Sequence, residues 1–170
     1  AGKTTLVNHL LSSAGEERLG VLVNDFGALN IDRDLIKVET QNQIELSNGC
    51  ICCTIQDDLA SGLMTLARAS TGLTRIVVEC SGVSHPAGVL AIFDGPAVGG
   101  LVHIDGIFCL IDVASFDDLD FPSTELAIDQ AAMSDIVFLN KLDLVSEDVV
   151  RAVERTLTGA QPHMRLARVT

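Results

Sequence analysis

The sequence holds no tryptophan and no tyrosine, and its aromatics are 6 phenylalanines in 170 residues. Most platforms on which single-stranded bases stack are therefore missing. Cations are scarce too: 11 Lys and Arg stand against 23 Asp and Glu, for a formal charge of −12, with no basic cluster. That balance argues against a nucleic-acid surface, which needs clustered positive charge to neutralise phosphates. No apolar run reaches the roughly 20 residues that span a bilayer, so no membrane partner is expected, and these residues show no signal peptide. Internal repeats, low-complexity tracts and linkers are also missing, and the length reads as a single domain, 1–170, with room for a substantial core. Of the 5 cysteines, Cys50, Cys52 and Cys53 crowd together. Such crowding suits a reducing compartment and metal chemistry better than a disulfide scaffold.

What is present alternates. Short β-branched runs and helical patterns follow one another, which indicates crossover units and an α/β fold with a mainly parallel sheet. Strands are expected at 20–24, 75–80, 106–113, 135–139 and 164–169, near-continuously apolar as befits burial on both faces. Helices are expected at 4–13, 57–69, within 86–93, and at 125–133 and 147–157. Ser146 before Glu147 and Asp148 reads as an N-cap with an acidic first turn. Pro86 sits where a first-turn proline is tolerated. Gly95-Pro96 and Gly99-Gly100 mark a loop.

The apolar run 136–139 ends in Asn140-Lys141-Leu142-Asp143. With its two oxygens, Asp143 can accept both donors on the guanine edge, N1–H and the exocyclic amine. Adenine would leave that carboxylate desolvated and unpaired, and sites of this kind discriminate by about 10⁴ or more. Asn140 would orient the base from its other edge, and the Lys141 stem would lie along the ring face. A solvated loop after a strand is the ordinary alternative.

At the other end, Gly2-Lys3-Thr4-Thr5 runs straight into the amphipathic pattern of Leu6, Val7, Leu10 and Leu11. These residues read as the second half of a phosphate-binding loop, where backbone amides and the helix dipole cradle phosphate. Lys3 would reach the β- and γ-phosphates, and the Thr4 hydroxyl would meet magnesium. The full pattern has a glycine five residues before Gly2 and a strand before that. We read the chain as cut at its N-terminus, or as lacking ordered residues there.

Two further strand ends carry carboxylates. Glu79, ahead of Cys80-Ser81-Gly82, stands where phosphate-loop nucleotidases hold magnesium, and Gly82 would let backbone approach a γ-phosphate. Asp112 reads as a turn acceptor in preference to a phosphate-side carboxylate. Asp25, in Asn24-Asp25-Phe26-Gly27, positions water or magnesium or merely makes a turn. Asp32, Arg33 and Asp34 are most economically a solvated face, and neither His9 nor His163 suggests a ligand.

Asn48-Gly49-Cys50-Ile51-Cys52-Cys53 follows the alternating segment 44–47 and precedes a helix entry at Thr54, Asp57 and Asp58. Thiols near a helix N-terminus are favoured as thiolates, the form that binds zinc or copper(I). Three sulfurs leave a tetrahedral ion one position short, open to water, a carboxylate, His85, His103 or a partner's ligand. The alternative is three small apolar residues packed beneath a sheet. Cys80 and Cys109, inside apolar strand runs, read as core.

Together these motifs, in this order and over nearly the whole chain, resemble the CobW-type metallochaperone GTPases. The resemblance implies a three-layer P-loop GTPase-like domain, here without its N-terminal strand, the front half of the phosphate loop and the family's C-terminal domain. It implies GTP/GDP and magnesium as ligands, and zinc or cobalt held at Cys50, Cys52 and Cys53. Nucleotide state would govern delivery of that metal to a client metalloprotein in the cytoplasm. No arginine finger or glutamine is evident, so turnover is expected to be slow unless a client or the second subunit of a nucleotide-dependent dimer completes the site. The rivals are an ATP-using phosphate-loop enzyme and a non-catalytic metal-binding domain with a vestigial nucleotide site.

Overall fold

The computed structural model describes residues 1–15, 17–24, 44–45, 55–69 and 72–169. They form two compact units, Lys3–His103 and Ile104–Thr170, the second joined by Ala1–Gly2. Among the described residues no helix is long and apolar enough to cross a membrane.

In the first unit, α1 (Lys3–Ser13), β1 (Leu19–Asn24), β2 (Ile44–Glu45), α2 (Ile55–Ala69), β3 (Arg75–Cys80) and α3 (Pro86–Asp94) follow in order. The sheet runs β2-β1-β3, and both pairings are parallel. Consecutive residues Leu19, Gly20, Val21 and Leu22 are all buried, as a parallel strand covered on both faces requires. Helix α2 buries Leu59, Leu63 and Leu66, spaced at one helical face, against Leu22, Ile92 and Val98. A Cβ on Gly62 would come 2.9 Å from Leu22 Cδ1, so glycine permits the close helix–strand approach. Burying each such leucine stabilises the fold by about 1.5–3 kcal/mol.

The second unit contains β4 (Phe108–Asp112), α4 (Phe121–Ala132), β5 (Ile136–Asn140), α5 (Glu147–Ala160) and β6 (Leu166–Arg168). Its sheet, β4-β5-β6, is again wholly parallel. Cys109, Ile111, Val137 and Leu139 meet Val150, Val153 and Leu157 of α5 in its core. The opposite face of α5 is charged. Arg168 of β6 bonds Glu154 at 2.8 Å and Glu147 at 3.1 Å, and Arg151 bonds Glu147 at 3.0 Å.

Both units belong to the expected α/β class. Several element bounds differ from the sequence reading, each for a local reason. Helix α4 starts at Phe121 rather than 125, because the Asp120 carboxylate accepts the Ser123 amide at 3.0 Å and Pro122 occupies the first turn, where no amide is needed. Strand β4 begins two residues later than expected, since the Ile107 amide donates to the Asp135 carboxylate at 2.7 Å instead of entering the ladder. Ser146 does stand at the N-cap of α5, yet its hydroxyl makes no capping bond. The expected loop after α3 is a series of tight turns, such as Gly99 N–H to Gly95 O at 2.9 Å, that tuck Val98 into the core. Cys109 is buried as expected, whereas Cys80 is only half-buried and lies outside the core clusters.

Candidate functional site

In the first unit, α1 begins at Lys3, which puts Lys3, Thr4 and Thr5 in its first turn. Val7 anchors the helix from below. Strand β3 ends in Glu79-Cys80, and the Thr4 hydroxyl donates to Glu79 Oε1 at 3.0 Å across 75 positions of sequence. The two residues assigned to magnesium on sequence grounds are thus side by side. A hydroxyl and a carboxylate are both hard oxygen donors, a donor set that fits magnesium.

Cys80 follows on the same strand. Burial pushes its thiol pKa up, the Glu79 carboxylate pushes the same way, and the Lys3 ammonium opposes them. The thiol is therefore held in its neutral form and is a poor nucleophile or soft-metal ligand. Beyond it, Ser81-Gly82-Val83-Ser84 closes a turn through Ser84 N–H to Ser81 O at 3.0 Å. Gly82 is exposed, has no positive φ, and a Cβ there would meet nothing within 4 Å. Neither backbone geometry nor packing in this turn requires glycine.

In the second unit, β5 delivers Asn140 at its last residue. The Asn140 side-chain amide donates to the Ala1 carbonyl at 3.0 Å. Gly2 has φ +97°, and a Cβ there would fall 2.6 Å from Asn140 Nδ2. Glycine is thus needed twice at this position, for the left-handed backbone and for the approach of the amide. This contact joins Ala1 and Gly2 to the end of β5 within the second unit.

Lys141 then takes φ 63°, ψ 36°, and among the described residues it is the one non-glycine residue with positive φ. A left-handed lysine costs roughly 1–2 kcal/mol, a strain of the kind that collects at functional sites. The bend leads into a single 3₁₀ turn, Leu142–Leu144, on which Asp143 stands exposed. Behind the bend the Lys141 ammonium pairs with Asp112 Oδ2 at 2.5 Å. Asp112 lies directly opposite Asn140 in the β4–β5 register. Burial raises the Asp112 pKa, but the hydrogen bond and charge of Lys141, with the Ser115 hydroxyl, outweigh it and hold the carboxyl below the usual range.

Two residues escaped the sequence reading, Asp112 as the lysine's partner and Ala1 as the acceptor for Asn140. Asp112 carried a signal, since it ends an apolar strand just as Glu79 and Asn140 do. A backbone carbonyl carries none. Asp25, Cys50, Cys52 and Cys53 lie outside the described residues. The helix that the cysteines were expected to precede begins at Ile55, shortly after them in sequence.

Residues 1–168 match the family described as "CobW/HypB/UreG, nucleotide-binding domain". The chain is 33% identical to the zinc chaperone CobW of Sinorhizobium sp, over 90% of this chain and 51% of that protein. With the zinc-regulated GTPase metalloprotein activator 1 of Dictyostelium discoideum it shares 30% identity, over 100% of this chain and 43% of the relative. Among solved structures it resembles the Zn(II)-bound YjiA GTPase from E. coli, with a TM-score of 0.65 and 26% identity, covering 100% of this chain and 54% of that one. The chain therefore spans about half the length of the curated relatives it matches. With its parallel α/β architecture, its lysine and threonine at a helix start and its Asn140–Asp143 motif, the chain belongs to the CobW/HypB/UreG family.

Proposed function

We propose that this chain is the GTP-binding and GTP-hydrolysing domain of a metallochaperone. The observation that carries the reading is the Asn140 amide on the Ala1 carbonyl, with Gly2 pressed against it. Asn140 would orient a guanine, and the Gly2 it presses against runs on in sequence into Lys3 and Thr4, which would hold the phosphates. In this reading Asp143 accepts guanine N1–H and the exocyclic amine, while the Lys141 stem lies along the base. Gly2, Lys3, Thr4 and Thr5 hold the phosphates at the start of α1, and Gly82 lets backbone approach the γ-phosphate.

Hydrolysis breaks the bond between the γ-phosphorus and the bridging oxygen, and water supplies the new oxygen, giving GDP, phosphate and a proton. Lys3 offsets the charge gathering on the transferring group. Asp25 or a partner residue orients the water. Thr4 and Glu79 would hold magnesium, which when bound supplies positive charge to the phosphate oxygens. Cys50, Cys52 and Cys53 carry the cargo ion, zinc in keeping with the relatives' names, or cobalt. Nucleotide state, in a nucleotide-dependent dimer or with a client metalloprotein, governs its release in the cytoplasm. By linkage, bound metal would change nucleotide affinity by the same factor that nucleotide changes metal affinity.

The test is the base preference of Asp143→Asn, which exchanges an acceptor for a donor. Wild type should prefer GDP over ADP and XDP, and the variant should prefer XDP. Equal binding of GDP and ADP by wild type would favour an ATP-using enzyme. Zinc binding without GTP hydrolysis would favour a non-catalytic metal-binding domain.

A further inference from the structure

The Asp112–Lys141 ion pair has no part in the reading above, and Asp112 is assigned neither base nor phosphate there. Its surroundings are nonetheless specific. Its side chain is 16% exposed against 41% for Lys141, so the acid is the sheltered member of the pair. It stands at the end of β4, held by the parallel register directly opposite Asn140. The lysine it binds occupies a left-handed bend between the two base-reading residues, and the Leu144 amide closes the following turn on the Lys141 carbonyl at 3.2 Å. A free lysine samples many rotamers, and a stem that must lie along a ring face has to be held at its far end.

We propose that Asp112 is a positioning residue for guanine recognition: its carboxylate holds the Lys141 ammonium, and through that bend it keeps Asn140 and Asp143 aimed at the base. Asp112 touches no nucleotide in this arrangement and acts only through Lys141. The inference rests on the guanine reading and deepens it, because it assigns part of base specificity to a residue outside the motif. It also accounts for a strained, non-glycine left-handed residue, which the ion pair helps to secure.

The test compares GDP with IDP, which lacks the exocyclic amine, in the full chain. Affinities are measured for wild type, Asp112→Asn, Lys141→Met and the double variant. Met keeps an apolar stem without the charge, and thermal unfolding of each protein shows whether it folds. Wild type should prefer GDP to IDP. Asp112→Asn should weaken GDP about tenfold, the worth of one charge-assisted hydrogen bond, and shrink that preference. Lys141→Met should do the same, and the double variant should lose no more than either single one. Equal weakening of GDP and IDP would report general loosening and overturn the inference, as would losses that add in the double variant. Should Asp112→Asn fail to fold, Asp112→Ser, which also removes the charge facing Lys141, decides through the same GDP-to-IDP ratio. If wild type itself fails to distinguish GDP from ADP, the guanine reading and this inference fall together; a preference that survives Asp112→Asn removes the inference alone.

Discussion

The two units present their chemistry at the ends of parallel strands, yet they hold it in different ways. In the second unit the guanine motif is braced on three sides, by Asn140 on the Ala1 carbonyl, by Lys141 on Asp112 and by the 3₁₀ turn beneath Asp143. In the first unit Thr4 and Glu79, the residues proposed to hold magnesium, are held by a hydrogen bond to each other. Bracing suits a base that must be recognised against adenine, since preorganised partners lose less on binding. A direct hydroxyl–carboxylate contact suits groups that exchange partners when a nucleotide and its cation arrive.

The largest expected effects test whether both units rest on comparable cores. Leu157→Ala in α5 and Leu66→Ala in α2 remove side chains with 0% exposure, and each should destabilise by about 2–5 kcal/mol in urea unfolding. A negligible loss for either would mean that its core carries little of the stability.

Next comes the division of labour. Glu79→Gln removes the carboxylate bonded to Thr4 and should slow GTP hydrolysis about a hundredfold or more while leaving GDP affinity nearly intact. Equal losses in hydrolysis and GDP binding would erase the distinction drawn between the two ends.

A smaller loss should follow Gly2→Ala, which places a methyl against Asn140 Nδ2 and forces φ +97° on alanine. We expect guanine nucleotide affinity to fall about tenfold, in line with roughly 1–2 kcal/mol for a left-handed alanine. Unchanged affinity would show that the brace from Asn140 is dispensable.

The smallest effect concerns the charged face of α5. The hydrogen bond from Arg151, then that from Arg168, lowers the Glu147 pKa, and the Arg168 bond lowers that of Glu154. Because both folded values lie below the unfolded ones, their contribution is present above the ordinary glutamate range and fades as pH falls through the lowered values. Arg168→Met should be slightly less stable than wild type at pH 7, with the gap closing on acidification and with added salt. A gap that persists below pH 3 would assign the loss to packing of the arginine stem.

Much of the site was legible because its residues are strand and helix ends with fixed neighbours. Gly2-Lys3-Thr4 opens a helix, Glu79 closes an apolar strand, and Asn140–Asp143 follows another, all as local patterning indicates. Less legible were the bounds set by distant or side-chain partners. Asp135 taking the Ile107 amide shortened β4, and Asp120 with Pro122 started α4 early. The two-residue strand β2 is too short for any periodicity to announce, and its parallel pairing with Gly20 and Val21 defines it.

Composition, period and motif, all local properties of the chain, were enough to determine the parallel α/β class and the order of most elements. Tertiary structure alone decided that Asn140 reaches a carbonyl 139 positions away, that Thr4 faces Glu79, and that Asp112 holds Lys141. Those partnerships depend on which strands lie side by side and in what register, and only the packing of apolar faces settles that.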